Sequence, residues 1–278
     1  MSGFIKVGAT IGAVFCVQCF LASAAFAEGP AVSAPNGKLD LAIGAGSEDE
    51  SGLFKLGGSL SVPFGDTLGA QLDVSIQGIE DPTASAALHL FTRDPSSYLI
   101  GVTAGVVRSD AALMGAVGVE GELYLDRVSL EGWVGFAGLD YSDAVAVDKS
   151  GMFALADIAF YPTDDLRLSL GIASVLEYES VSLGAEYQLP DMPLALTADV
   201  RLGEDGATRA MAGLRFYIGE DGKTLIDRHR QDDPRDRGFD LFAAAGRQVL
   251  ERDPVASDFD NFQDCVDAGF TWHAEHCV

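Results

Sequence analysis

Basic residues, cysteine and histidine are all scarce in this chain. Lys and Arg together number 18 against 42 Asp and Glu, a formal net charge of −24. A nucleic-acid binder carries a basic patch, so that class is disfavoured. With 4 His in 278 residues there is no His-rich metal motif, and neither a Gly-rich phosphate loop nor a nucleophile elbow occurs. No cofactor, no metal and no enzymatic activity are expected. The first two hundred residues hold no run of like charge resembling a disordered acidic tail. Proline stands at 10 against 32 glycines, and abundant glycine suits tight turns and close strand packing more than helices.

Half of the few cysteines lie at the start. Lys6, an apolar run over residues 7–26 and the small-x-small triplet ending at Ala27 read as an export signal cleaved after Ala27. The run is also long enough for an uncleaved anchor, but it ends in small residues with no basic stop. Phe15 and Gln18 precede Cys16 and Cys19, and neither is the small residue a lipoprotein signal prefers. Cleavage leaves only Cys265 and Cys277, which in an exported chain read as one disulfide worth roughly 3 kcal/mol. His273 and His276 lie beside them, so zinc is the alternative there.

What the chain has in plenty is two-residue alternation. Residues 67–77 show it most clearly: Ala70, Leu72, Val74 and Ile76 against Gln71, Asp73, Ser75 and Gln77. Twelve such stretches run from Lys38 to Ile218, each about nine to twelve residues, the length of a tilted bilayer-spanning strand. Phe64, Phe91, Tyr124, Phe160 with Tyr161, Tyr187, and Phe216 with Tyr217 mark alternate strand ends. Short turns such as Asp94-Pro95-Ser96 lie beside these aromatics; the opposite turns are strongly acidic, Glu177–Glu179 among them. One apolar and one polar face per strand suit a soluble sandwich as well as a membrane barrel. The export signal, the even hairpin spacing and the aromatic endings favour the barrel, which pairs every backbone group.

The alternation, and the final strand over residues 210–218 with its terminal aromatics, resemble the outer-membrane β-barrel proteins of Gram-negative bacteria. The resemblance implies an antiparallel up-and-down barrel of about twelve strands in the cell outer membrane. It further implies outer-membrane lipid around the barrel and the barrel-insertion machinery as a partner that reads the last strand. Residues 222–237 look like extensions that follow such barrels in alphaproteobacteria. The expected organisation is a signal peptide at 1–27, a leader at 28–37, the barrel at 38–218 and a polar extension at 219–278.

The polar strand faces mix signs. Asp40, Asp73, Glu120, Glu122, Glu131, Asp157, Glu186 and Asp199 face inward with Lys55, Arg93, Arg167, Arg201, Arg209 and Arg215. These fourteen residues either line a narrow passive pore for small polar solutes or pair into a web that closes the lumen. A porin-like pore is the leading function, and a non-conducting structural or docking barrel is the rival. A lipid-modifying enzyme ranks third: His89 is the one barrel histidine, with Asp73 or Ser75 as neighbours, but a lone lumen histidine is usually part of a polar network. The tail reads as one helix over residues 237–251. It could bind a periplasmic partner, plug the near mouth or stay solvated, and solvation is the default. Asp258, Asp260, Asn261 and Asp264 lack the loop glycine that a calcium site of this kind uses.

Overall fold

The computed structural model describes residues 30–245 except 48, 79–81, 143–147, 205 and 233, together with 272–273 and 276–277. Its strands are β1 (Asn36–Gly46), β2 (Asp49–Phe64), β3 (Leu68–Gln77), β4 (Thr83–Asp94), β5 (Tyr98–Arg108) and β6 (Ala112–Leu125). They continue as β7 (Val128–Tyr141), β8 (Lys149–Thr163), β9 (Leu166–Val175), β10 (Tyr178–Gln188), β11 (Leu194–Gly203) and β12 (Thr208–Ile218). Each pairs antiparallel with its sequence neighbours, and β12 pairs with β1 to close the ring. Closure leaves no strand edge unpaired. A two-stranded ribbon of β13 (Trp272–His273) and β14 (His276–Cys277) is separate from it. Residues 1–27 and Cys265 lie outside the described residues, so the export signal and the disulfide do too.

Alternation sets the two faces. Leu39, Leu41 and Ile43 of β1 are 52, 45 and 67% exposed, while Lys38 before them and Asp40 among them are buried. The same inversion runs round the ring: Leu72, Val102, Val119, Phe136, Ile172 and Leu214 all point outward and exposed. An apolar exterior of this extent is not a surface for water.

The aromatic strand endings divide evenly between the two faces, as the alternation of their strands predicts. Phe64, Phe160, Tyr187 and Phe216 stand on the exterior, but Phe91, Tyr124, Tyr161 and Tyr217 are buried inside the same mouth. Alternation explains the split, because adjacent residues point to opposite faces. The turn expected at Glu177–Glu179 is instead the two-residue link Leu176-Glu177 between paired Val175 and Tyr178. Both central residues have positive φ, 51° and 72°, the geometry that a tight hairpin's twist requires.

After β12 the chain forms α1 (Leu225–Gln231) and α2 (Arg237–Ala245). Thr224 caps α1, accepting from the Asp227 N–H and donating to its carboxylate. This helix has no counterpart in the sequence reading. The helix expected over 237–251 is α2 as far as Ala245, and residues 246–251 lie outside the described ones. α2 touches β3, β4 and β5 on one side and β9 and β10 on the other. Only a helix inside the lumen can reach both walls. Leu241, Ala244 and Ala245 are fully buried, so this part of the tail is a plug and not a solvated appendage.

Candidate functional site: a charged lumen and its plug

Closing the ring brings opposite charges together across the seam. Asp40 of β1 lies directly opposite Arg215 of β12. Arg215 Nε donates to Asp40 Oδ1 at 2.7 Å, and its Nη1 donates to Glu186 Oε2 at 2.9 Å. Tyr217 donates its hydroxyl to the other oxygen of Glu186 at 2.5 Å.

A row of like charges lies on another wall. Glu122, Glu131 and Asp157 are direct cross-strand partners over β6, β7 and β8. Carboxylates so placed repel unless cations stand between them. Arg167 Nη2 donates to both oxygens of Glu131 at 2.9 Å. The second cation comes from the tail: Arg235 pairs with Asp157 at 2.7 Å, with Glu131 at 3.6 Å, and with Asp240 of α2 at 2.6 Å. Pro234 beside it accepts hydrogen bonds from Lys38 Nζ and Gln71 Nε2, both at 3.1 Å.

His89 is held by a third group. Its Nε2 is 2.8 Å from Asp73 Oδ2 and its Nδ1 is 2.9 Å from Glu120 Oε1. With a carboxylate at each ring nitrogen, the geometry is that of a ring donating twice. Thr103 Oγ1 stands 3.1 Å from Nδ1, and Gln71 donates to the far oxygen of Asp73 at 2.7 Å. All of this is buried within the wall, a satisfied polar network around the histidine.

The near mouth is capped by α1. Its Arg228 lies over the Tyr217 ring at 4.9 Å and Arg230 over Tyr124 at 5.2 Å. His229 reaches the hydroxyls of Tyr161 at 2.9 Å and Tyr217 at 3.2 Å. The inward aromatics are therefore the seat of the cap. The leader joins it: Ser33 Oγ donates to Asp232 at 2.6 Å, and Lys223 Nζ donates to the same carboxylate oxygen at 2.5 Å.

All fourteen charged residues singled out in the sequence occupy inward register positions, but they do not form one group. Ion pairs gather Asp40, Glu186 and Arg215 at the seam, and Glu131, Asp157 and Arg167 at the carboxylate row. Asp73 and Glu120 hold His89. Glu122 accepts from Tyr124, Arg201 donates to Ser180, and Arg209 donates to Gln77. Arg93 is fully buried, stacked on Phe91 at 5.0 Å, with no hydrogen-bond partner at any guanidinium nitrogen among the described residues. Lys55 and Asp199 line a cavity of about 160 Å³ between the tail and the wall of β1, β2 and β9–β12, which Glu122 and Glu131 of β6 and β7 also reach. Sequence reasoning missed Arg228, His229, Arg230, Arg235 and Leu241, which meet wall residues such as Tyr161, Tyr124 and Asp157 from distant strands.

No family model matches this chain, and no curated protein does. Among solved structures it is similar to the KdgM porin in complex with disordered oligogalacturonate, at 11% identity over 64% of this chain and 98% of that one, TM-score 0.49. It is similar to the NanC porin at 8% identity over 64% and 98%, TM-score 0.48. Outer membrane phospholipase A from Escherichia coli matches at 13% identity over 66% and 92%, TM-score 0.44. The likeness is one of barrel architecture and assigns no activity.

Proposed function

We propose that this protein stands in the outer membrane as a narrow passive pore for small polar solutes, throttled by its own C-terminal segment. The apolar exterior would face lipid, and β12 with its terminal aromatics would be read by the insertion machinery. The mouth holding the leader and α1 would face the periplasm. The observation that carries the pore is the cavity of about 160 Å³ beside the plug, lined by Lys38, Asp40, Lys55, Asp199, Arg201 and Arg215. A charged, hydrated lining of both signs passes polar solutes with little preference for either sign. No catalytic step is assigned, because both nitrogens of His89 are committed to carboxylates inside the wall.

A specific observation favours the second reading, a barrel that does not conduct: α2 spans the lumen from wall to wall. Planar-bilayer recording separates the two. The mature chain is expected to give small, reproducible conductance steps, and a chain ending at Gly222 to give much larger ones. Silence from both, with each folded, establishes the closed barrel.

A further inference from the structure

The lumen wall carries a sector without charge. On the far half of β5–β9 the inward residues include Val107, Met114, Trp133, Leu139, Phe153 and Leu155, joined by small Ala and Val side chains in one cluster. A water-filled barrel has a polar interior, so a contiguous apolar wall inside one needs an occupant. In this structure the occupant is Leu241, Ala244 and Ala245 of α2.

Three features set this contact apart from an ordinary core. First, the two sides differ in size: among the described side chains, bulky Trp133, Phe153 and Leu139 meet one leucine and two alanines of the helix. Second, the wall is built to present a broad surface. Trp133 lies over Gly105, where an added methyl would come within 3.6 Å of the indole, and stacks edge-on with Phe153 at 4.6 Å. Third, the indole N–H of Trp133 is buried with no acceptor among the described residues. A permanent core pairs such a donor.

The sector also has a polar border. Two residues along their strands from Trp133 and Leu155 stand Glu131 and Asp157, with Arg167 and Arg235 between them. From Ala112 to Ala116 the sector runs for roughly 13 Å of strand. An elongated apolar surface ending at charges matches a molecule with one alkyl chain and a polar head. Met114 adds a side chain that adapts to varied partners.

We propose that this sector binds the alkyl chain of a single-tailed amphiphile, in competition with α2. The proposal rests on the reading of the tail as the segment that throttles the lumen, and it adds to the small polar solutes of the pore a ligand of a different class at the plug's own seat. The test uses Trp133 itself. The only other tryptophan is Trp272, so the mature Trp272→Phe chain in detergent-free vesicles reports the sector by fluorescence. The probe is a fatty acid brominated near its chain end. Expected is saturable quenching that Leu139→Asp abolishes and Leu241→Asn shifts to several-fold lower probe concentration, because α2 then competes less. Compact gel migration before heating checks that each variant is folded. Should Leu139→Asp fail to fold, the Leu241→Asn shift decides alone. Quenching that does not saturate, is equal in the folded variants, or is reproduced by brominated phospholipid confined to the bilayer overturns the proposal. Conductance plays no part in this readout, so binding and conduction stand or fall separately.

Discussion

One helix is held by two walls of opposite character. Just ahead of it, Arg235 ties Asp240 of the helix, at 2.6 Å, to the carboxylate row of β7 and β8, at 2.7 Å from Asp157. At its end, Leu241, Ala244 and Ala245 sit against an uncharged wall. Charge fixes register, because a guanidinium must meet particular oxygens. Apolar contact supplies area and tolerates sliding. A plug gripped by charge at one end and by grease at the other is directional: the polar grip places it, and the apolar grip is where a competitor can enter.

The largest expected effect comes from breaking the polar grip. Arg235→Gln removes the cation between Glu131, Asp157 and Asp240, leaving carboxylates 5–7% exposed without it. Removing one partner of a buried pair costs about 3–5 kcal/mol, and Arg235 keeps some contact with water, so about 3 kcal/mol is expected. Hydrogen exchange of the α2 amides reads it, as acceleration by about two powers of ten. The apolar grip is weaker. Leu241→Ala costs about 2 kcal/mol, the low end for a buried leucine, since a short helix can settle into the gap. Equal acceleration by both variants would mean that the two walls hold the plug alike.

A third prediction moves from plug to wall. Gly118 of β6 and Gly135 of β7 face each other, and a methyl on Gly135 would lie 2.1 Å from the carbonyl oxygen of Val117. Backbone cannot give way as a side chain tip does. Gly135→Ala is expected to cost about 1–3 kcal/mol, read as a lowered urea midpoint of the folded barrel, with α2 exchange changed less than by Leu241→Ala.

The outside of this molecule was far more legible than the inside. Twelve strands and their phase follow from alternation because lipid and lumen demand opposite residues at every step. Asp157 fixed the phase of β8 even where Phe153, Ala154, Leu155 and Ala156 are apolar on both faces. That same stretch hid the uncharged sector: charge marks an inward position, but an inward Phe153 looks like any other apolar residue. The tail was opaque for a different reason. α1 has 7 residues, too short to show a helical period, and its Arg228 and Arg230 look solvated until folding places Tyr217 and Tyr124 beneath them. Tyr124 stands 106 residues before Arg230, and a partner that far away leaves no local trace.

The smallest effect is expected where an ion pair looks closest. Arg127 and Asp164 approach to 2.5 Å, shorter than the lumen contacts of Arg235, and they link the turn after β6 to the turn after β8. Yet their side chains are 44 and 54% exposed, against 23% for Arg235 and 6% for its partner Asp157. Water and salt screen the first pair and much less the second, so Arg127→Ala is expected to cost about 0–1 kcal/mol. Tyr161 N–H keeps its bond to the Arg127 carbonyl, at 2.9 Å, whatever side chain stands there. Urea unfolding of Arg127→Ala at low and high salt measures the difference. A loss well above 1 kcal/mol, insensitive to salt, would place this rim out of water, and the distinction between an exposed rim and a shielded lumen would have to be drawn elsewhere on the barrel.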